Sequence, residues 1–264
     1  MIAVILAALV GLVIGSFLNV CIYRLPRDGS VVRPRSYCPA CRRPIAWFDN
    51  IPVLSYLLLR GRCRHCGAPI SLRYPGVELA TAALFACAVW MQGLTLASAK
   101  LCVFASLMMV LIFADLEARI LPDEFTLGGI GIGLAFSLLL PVEPGLAAAF
   151  LPTAPPRLIW LGESALGAGL AAGALWLVGW LYEKVRGRPG LGLGDVKMVG
   201  AIGAFLGLRQ AMLVLLAGSL MGSVIGLGYI LLAGKDASRY ELPYGSFLGA
   251  AALATAYFAA ALTA

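Results

Sequence analysis

Apolar residues run along this chain in long blocks, with no sustained alternation and no narrow helical stripe. Reading between charged or proline-rich breaks gives eight such runs: 2–20, 77–92, 98–115, 125–140, 161–182, 196–208, 210–232 and 244–262. A spanning helix needs about 20 mostly apolar residues. The pattern therefore predicts an all-α polytopic membrane protein with about eight transmembrane helices, the sixth being the shortest. The first run lacks a basic leading segment and a small-residue cleavage site, so it reads as a retained helix. Trp160 and Trp180 bracket the fifth run about 30 Å apart at 1.5 Å per residue, as anchors at two membrane interfaces should. No internal repeat stands out. The connection 141–157, PVEPGLAAAFLPTAPPR, is broken by prolines and reads as irregular.

Composition agrees with that reading. The 264 residues are 61% hydrophobic and 12% charged, with a mean hydropathy of +0.92, against about 45–50% apolar and about 25% charged in soluble domains. A net charge of +7 raises the question of nucleic acid or anionic lipid, and its placement answers it. The segment from Arg24 to Arg73 holds ten arginines against Asp28 and Asp49. By the positive-inside rule this loop is cytoplasmic and the N-terminus lies outside. Arg119, Lys184, Arg186, Arg188, Lys197, Lys235 and Arg239 then also fall inside, leaving Lys100, Arg157 and Arg209 outside, a count of 17 to 3. The expected partner of this charge is membrane lipid, with no nucleic acid. The expected organisation is a first transmembrane helix (1–23), a cytoplasmic loop (24–76) and a seven-helix membrane domain (77–264).

The seven cysteines fall into two groups. Cys21, Cys87 and Cys102 sit singly in or beside apolar runs and read as small core residues. Cys38-x2-Cys41 and Cys63-x2-Cys66 lie in the arginine loop with 21 residues between the pairs. Two such turns can close a tetrahedral thiolate site of the zinc-ribbon kind, and a reducing cytoplasm disfavours disulfides. The loop has few apolar residues, so Zn2+ would supply most of its folding energy, making the site structural. His65, the sole histidine, lies between two expected ligands and reads as a bystander.

Thirteen acids are few enough to sort. Asp28, Asp49, Glu143, Glu183, Asp236 and Glu241 read as solvated charges, and Glu78 as a charge favouring the start of the second helix. Asp115 and Asp195 differ. The first ends an apolar run, CVFASLMMVLIFAD, and the second opens one, DVKMVGAIGAFLG, so the expected topology brings both to the same face of the membrane. Ionisable residues at such depth are functional hypotheses by default, although Asp195 also has the position of a helix N-cap. Gly190, Gly192 and Gly194 before it form a loop that an extended peptide can approach closely. Two carboxylates in one low-dielectric site share a proton and titrate as a pair. That is the apparatus of an aspartyl peptidase, in which one carboxylate takes a proton from water while the other polarises the scissile carbonyl.

With these motifs placed, the chain resembles the type IV prepilin peptidases, also called leader peptidases and N-methyltransferases. The resemblance is carried in order by GSFLNVCIYRLP (15–26), the two cysteine pairs, RYPGVELATA (73–82), DLEARILPDEFTL (115–127), GLGLGDVKM (190–198) and LPYGSFLGA (242–250). It implies a bifunctional enzyme of the bacterial inner membrane with its active site facing the cytoplasm. Such an enzyme cleaves the short basic leader from type IV prepilins or type II secretion pseudopilins. It then methylates the new N-terminal residue, usually phenylalanine, with S-adenosylmethionine. The family's catalytic aspartates fall on Asp115 and on Asp195 of the G-x-G-D motif. Glu117 and Asp123 share the first of these motifs, and Asp123 is the substitute for Asp115, although the adjacent Pro122 suggests a turn. Where the family commonly has Phe-Gly-Pro, this chain has Tyr244-Gly245-Ser246, a departure expected to bear on substrate preference and to leave the chemistry untouched. No Gly-rich loop follows a soluble strand, so a Rossmann-type donor site has no place, and the methyl donor has no assigned residues.

Two other classes make different predictions. A proton- or cation-coupled transporter also uses paired membrane carboxylates, but predicts acids near mid-membrane and two related halves. A membrane-anchored zinc-ribbon docking module explains the cysteines and predicts that Asp115 and Asp195 can be neutralised without loss.

Overall fold

The structure, a computed structural model, describes residues 1–187, 190–232 and 242–262. Arg188, Lys235, Asp236, Arg239 and Glu241, used above in the charge reading, lie outside them. The chain divides into two compact units, Met1–Val110 and Leu111–Leu262.

In the first unit, α1 (Ile2–Arg24) is followed by a long loop containing the short helix α2 (Leu54–Leu58), and then by α3 (Arg73–Gln92). The helices α1 and α3 pack backbone against backbone. A Cβ on Gly11 would lie 2.7 Å from the Ala82 Cα, and one on Gly15 would lie 2.7 Å from the Glu78 Cα. Small residues four apart allow that approach where lipid offers no hydrophobic drive between helices. The loop is tied at both ends. Arg24 is buried and its guanidinium donates to the carbonyls of Ser30, Pro34 and Arg35. Glu78 accepts the Val53 N–H at 2.8 Å. This corrects the reading of Glu78 as a charge serving the helix start: it is the sixth residue of α3, and its bond goes to the loop. Next comes α4 (Leu96–Ala118), whose start has reciprocal bonds between Thr95 and Ser98 in the manner of a capping box. Its last turns belong to the second unit.

The second unit continues with α5 (Asp123–Ser137), α6 (Leu146–Phe150), α7 (Pro156–Arg186), α8 (Leu193–Leu206), α9 (Leu208–Met221) leading through a π-helical turn (Gly222–Gly226) into α10 (Leu227–Leu232), and α11 (Tyr244–Leu262). Its centre is α8, packed by α5, α7, α9 and α11, with Met198 to Phe205 all buried. A helix apolar on every side belongs inside a bundle. Close approach to α7 depends on Gly167 and Gly203, where a Cβ on either would fall within 2.6 Å of the other's carbonyl oxygen. Ser164 adds a hydroxyl bond to the Ala204 carbonyl at 2.6 Å.

All eight apolar runs are helical, but only six helices among the described residues are long and apolar enough to cross a membrane: Ile2–Arg27, Arg73–Gln92, Leu96–Ala118, Pro156–Arg186, Leu208–Gly226 and Tyr244–Leu262. The runs at 125–140 and 196–208 form α5 and α8, of 15 and 14 residues, short of the length a crossing needs. The 141–157 connection is not wholly irregular. Buried Glu163 accepts the N–H groups of Gly145 at 2.6 Å and Ala148 at 2.9 Å, supplying the start of α6 with the acceptors a helix N-terminus lacks.

Candidate functional site

The four paired cysteines come together in the first unit, with all Sγ atoms within 4.8 Å of one another and those of Cys38 and Cys66 3.8 Å apart. Two matching knuckles create this. In the first, Cys38 N–H donates to the Arg43 carbonyl and Arg42 N–H to the Cys38 carbonyl. In the second, Cys63 N–H donates to Ala68 and Gly67 N–H to Cys63. The residue after each second cysteine takes a positive φ, +57° at Arg42 and +69° at Gly67. Backbone N–H groups of Cys66, then of His65, pull the Cys63 thiol down to about 7, whereas Cys66 goes up to about 11: the Ala68 N–H opposes that rise, and desolvation and the neighbouring thiols outweigh it. A tetrahedral zinc with Zn–S near 2.3 Å sets sulfurs about 3.8 Å apart, so the cluster is consistent with zinc. His65 is not part of it. Asp49, read as a solvated charge, instead receives two bonds from Arg64, at 2.7 and 2.6 Å. The Arg64 guanidinium holds its carboxyl below the usual carboxylate range.

In the second unit, three helix ends converge. Asp115 lies at the start of the last turn of α4, Asp195 in the first turn of α8, and Gly245 and Ser246 in the first turn of α11. Asp115 is buried, and its Oδ2 accepts both the Ser246 N–H at 2.7 Å and the Ser246 hydroxyl at 2.8 Å. Gly245 separates the two carboxyl groups. A Cβ there would lie 3.2 Å from Oδ1 of Asp195, 3.3 Å from Cγ of Asp115 and 3.1 Å from Leu121. The two carboxyl groups therefore lie no farther apart than those first two distances allow, and the missing side chain lets them face one another. The G-x-G-D glycines work similarly: a Cβ on Gly192 would meet Oδ2 of Asp195 at 3.2 Å, and one on Gly194 would meet Leu121 at 3.1 Å. Asp195 is the third residue of α8, whose N-cap is Gly192 with no side-chain cap bond, so it is not the N-cap.

Both aspartates line a cavity of about 280 Å³ that Arg119, Asp123 and Lys197 also border. Asp123 is exposed there, with its oxygens bonded to the Lys197 ammonium at 2.7 and 2.9 Å. Both Asp115 and Asp195 lie at helix ends. Among residues the sequence did not single out as interacting with the pair, Ser246 is the closest structural contributor. Its only signal was its departure from the resembled family's motif.

Residues 9–92 match the Bacterial Peptidase A24 N-terminal domain and residues 102–227 the Type IV leader peptidase family. Curated relatives include the prepilin leader peptidase/N-methyltransferase of Myxococcus xanthus, 42% identical over 231 residues covering 88% of this chain and 64% of that protein. The protein of the same name from Aeromonas hydrophila is 36% identical over 270 aligned positions, 93% of this chain and 87% of its own length. That from Neisseria gonorrhoeae is 35% identical over 249, covering 85% and 82%. The chain thus spans about two-thirds of the first of these and over four-fifths of the other two. No solved structure matches.

Proposed function

The chain belongs to the type IV leader peptidase family, and from that premise we propose that it cleaves the leader from type IV prepilins or type II secretion pseudopilins and N-methylates the new terminus. The observation that carries the reading is the convergence of Asp115 and Asp195 across Gly245 on one cavity. Two carboxyl groups so placed resist double ionisation and hold one proton between them. The ionised member takes a proton from water, and the resulting hydroxide adds to the scissile carbonyl carbon. The protonated member gives its proton to the carbonyl oxygen. Collapse of the tetrahedral species breaks the C–N bond, and the proton gained from water passes to the departing amine.

Cys38, Cys41, Cys63 and Cys66 would hold zinc, whose role is to supply folding energy to the loop. S-adenosylmethionine supplies the methyl group of the second activity. The new α-amino group has an ordinary pKa near 8, so a nucleophilic fraction exists at neutral pH, and no side chain of this chain is assigned to the donor. The site faces the cytoplasm of the bacterial inner membrane with the N-terminus outside, by the ten arginines against two aspartates in the segment that follows α1, from which α3 and α4 lead out and back to Asp115. Substrate helices reach it from the lipid, and the membrane region after residue 76 carries the cleavage chemistry.

The test is intact-mass analysis of a prepilin incubated with the purified full chain and S-adenosylmethionine in lipid. Loss of the leader followed by gain of one methyl is the expected result. A prepilin left intact by well-folded, zinc-loaded protein contradicts the peptidase, and cleavage without methylation contradicts the second activity.

A further inference from the structure

Ser246 touches the aspartate pair at a position where the resembled family commonly has proline, and it brings two donors that a proline lacks. Its N–H and its hydroxyl both point to Oδ2 of Asp115, at 2.7 and 2.8 Å, and both residues are buried. Each donor has a longer second acceptor: the Pro243 carbonyl at 3.2 Å for the N–H and the Ile112 carbonyl at 3.0 Å for the hydroxyl. An ionised carboxylate only accepts hydrogen bonds, so it can take both donors on one oxygen. Arg119, the residue just after the end of α4, adds a positive charge. Among the described residues no side-chain donor bonds Asp195, and the backbone of Gly192 lies against its carboxyl group. Hydrogen bonds to a charged form favour that form, so the two carboxyl groups are not equivalent.

We propose that Ser246 is a positioning residue that makes Asp115 the ionised member of the pair, holding Oδ2 and leaving Oδ1 to take the proton of the attacking water. Asp195 then carries the shared proton to the carbonyl oxygen. As water adds, one of its O–H bonds breaks and the proton goes to Oδ1 of Asp115, while the carbonyl π pair takes the proton of Asp195. Neutral Asp115 is a poorer acceptor at Oδ2, and the Ser246 hydroxyl then has the Ile112 carbonyl to turn to, so no donor is stranded. The inference rests on the paired-aspartate reading above.

The test is steady-state cleavage of a prepilin by the full chain in lipid, comparing wild type, Ser246→Ala, Ser246→Thr and Asp115→Asn. Methylation of a pre-cleaved peptide is followed in parallel. Ser246→Ala lowers kcat roughly tenfold, as loss of a hydrogen bond to a charged group should, and leaves KM unchanged because Ser246 acts through Asp115 and not on the peptide. Ser246→Thr recovers most of kcat, and methylation is unchanged in both. Wild-type kcat in Ser246→Ala, or a rise in KM with kcat unchanged, would overturn the assignment. A parallel fall in methylation would also overturn it, by making Ser246 a structural residue. Cleavage persisting in Asp115→Asn would remove the paired-aspartate reading itself, and this inference with it.

Discussion

The cysteine cluster gathers its sulfurs from a short piece of chain, with Cys38 and Cys66 only 28 positions apart, through two knuckles each closed by its own backbone bonds. The aspartate pair is assembled from three helices, and Asp115 meets Ser246 across 131 positions. The cluster is locally encoded, in a loop where Cys38 is the one buried hydrophobic residue between 25 and 72, so that on the zinc reading the metal would supply its folding energy. The pair has no local encoding at all. It exists because α4, α8 and α11 end at one place and Gly245 leaves room between two carboxyl groups. A defect in the cluster should therefore appear first as lost stability, and a defect at the pair as lost rate.

The largest expected effect lies at the pair. Asp195→Asn should slow cleavage by about 10⁴-fold, the scale on which members of a catalytic unit act, with zinc content and thermal unfolding unchanged. Rate measured alongside metal analysis checks this, and a parallel loss of zinc would dissolve the contrast between the two regions. At the cluster, Cys38→Ser or prolonged chelation should cost the loop about 3 kcal/mol or more of stability. Proteolysis between residues 25 and 72 reports that loss, and cleavage by protein that remains folded should stay within roughly tenfold of wild type.

Gly245→Ala sharpens the contrast from the other side. Alanine favours a helix, so thermal stability should hold, but its methyl lands between both carboxyl groups and Leu121. Overpacking of about 1–3 kcal/mol expressed at the site should lower kcat about tenfold or more. The smallest effect belongs to Asp49. Its carboxyl is held below its usual range by Arg64, so the pair contributes stability above the ordinary carboxylate pKa and loses it as pH falls through the lowered folded value. Asp49→Asn should cost at most about 1 kcal/mol at neutral pH, and the difference from wild type should vanish in acid. Unfolding of the two proteins across that range measures it.

The sequence made the cysteine pairs legible because C-x2-C spacing is itself the local geometry. Asp115 and Asp195 were legible for another reason, the cost of carboxylates at the ends of apolar runs. Glu163 interrupts an apolar run too and by the same reasoning merited attention; its acceptor role at the start of α6 depends on a chain reversal that spacing does not reveal. Glu78 looked like a helix-start charge because its partner, the Val53 N–H, lies 25 residues back in the loop. Ser246 was visible only as a departure from a motif, since a small hydroxyl residue at a helix start gives no sign of whom it will bond. The short sixth run was legible as short, but not as the helix that four others surround.

The account turns on Asp115 and Asp195 acting as one unit. Single-turnover cleavage of a prepilin by Asp115→Asn, Asp195→Asn and the double variant tests it most directly, with residual rates followed by intact mass. A shared-proton pair predicts that the double variant is no slower than either single one, within about threefold, because the first substitution already destroys the unit. Losses that multiply in the double variant, or either single variant cleaving near the wild-type rate, would contradict it.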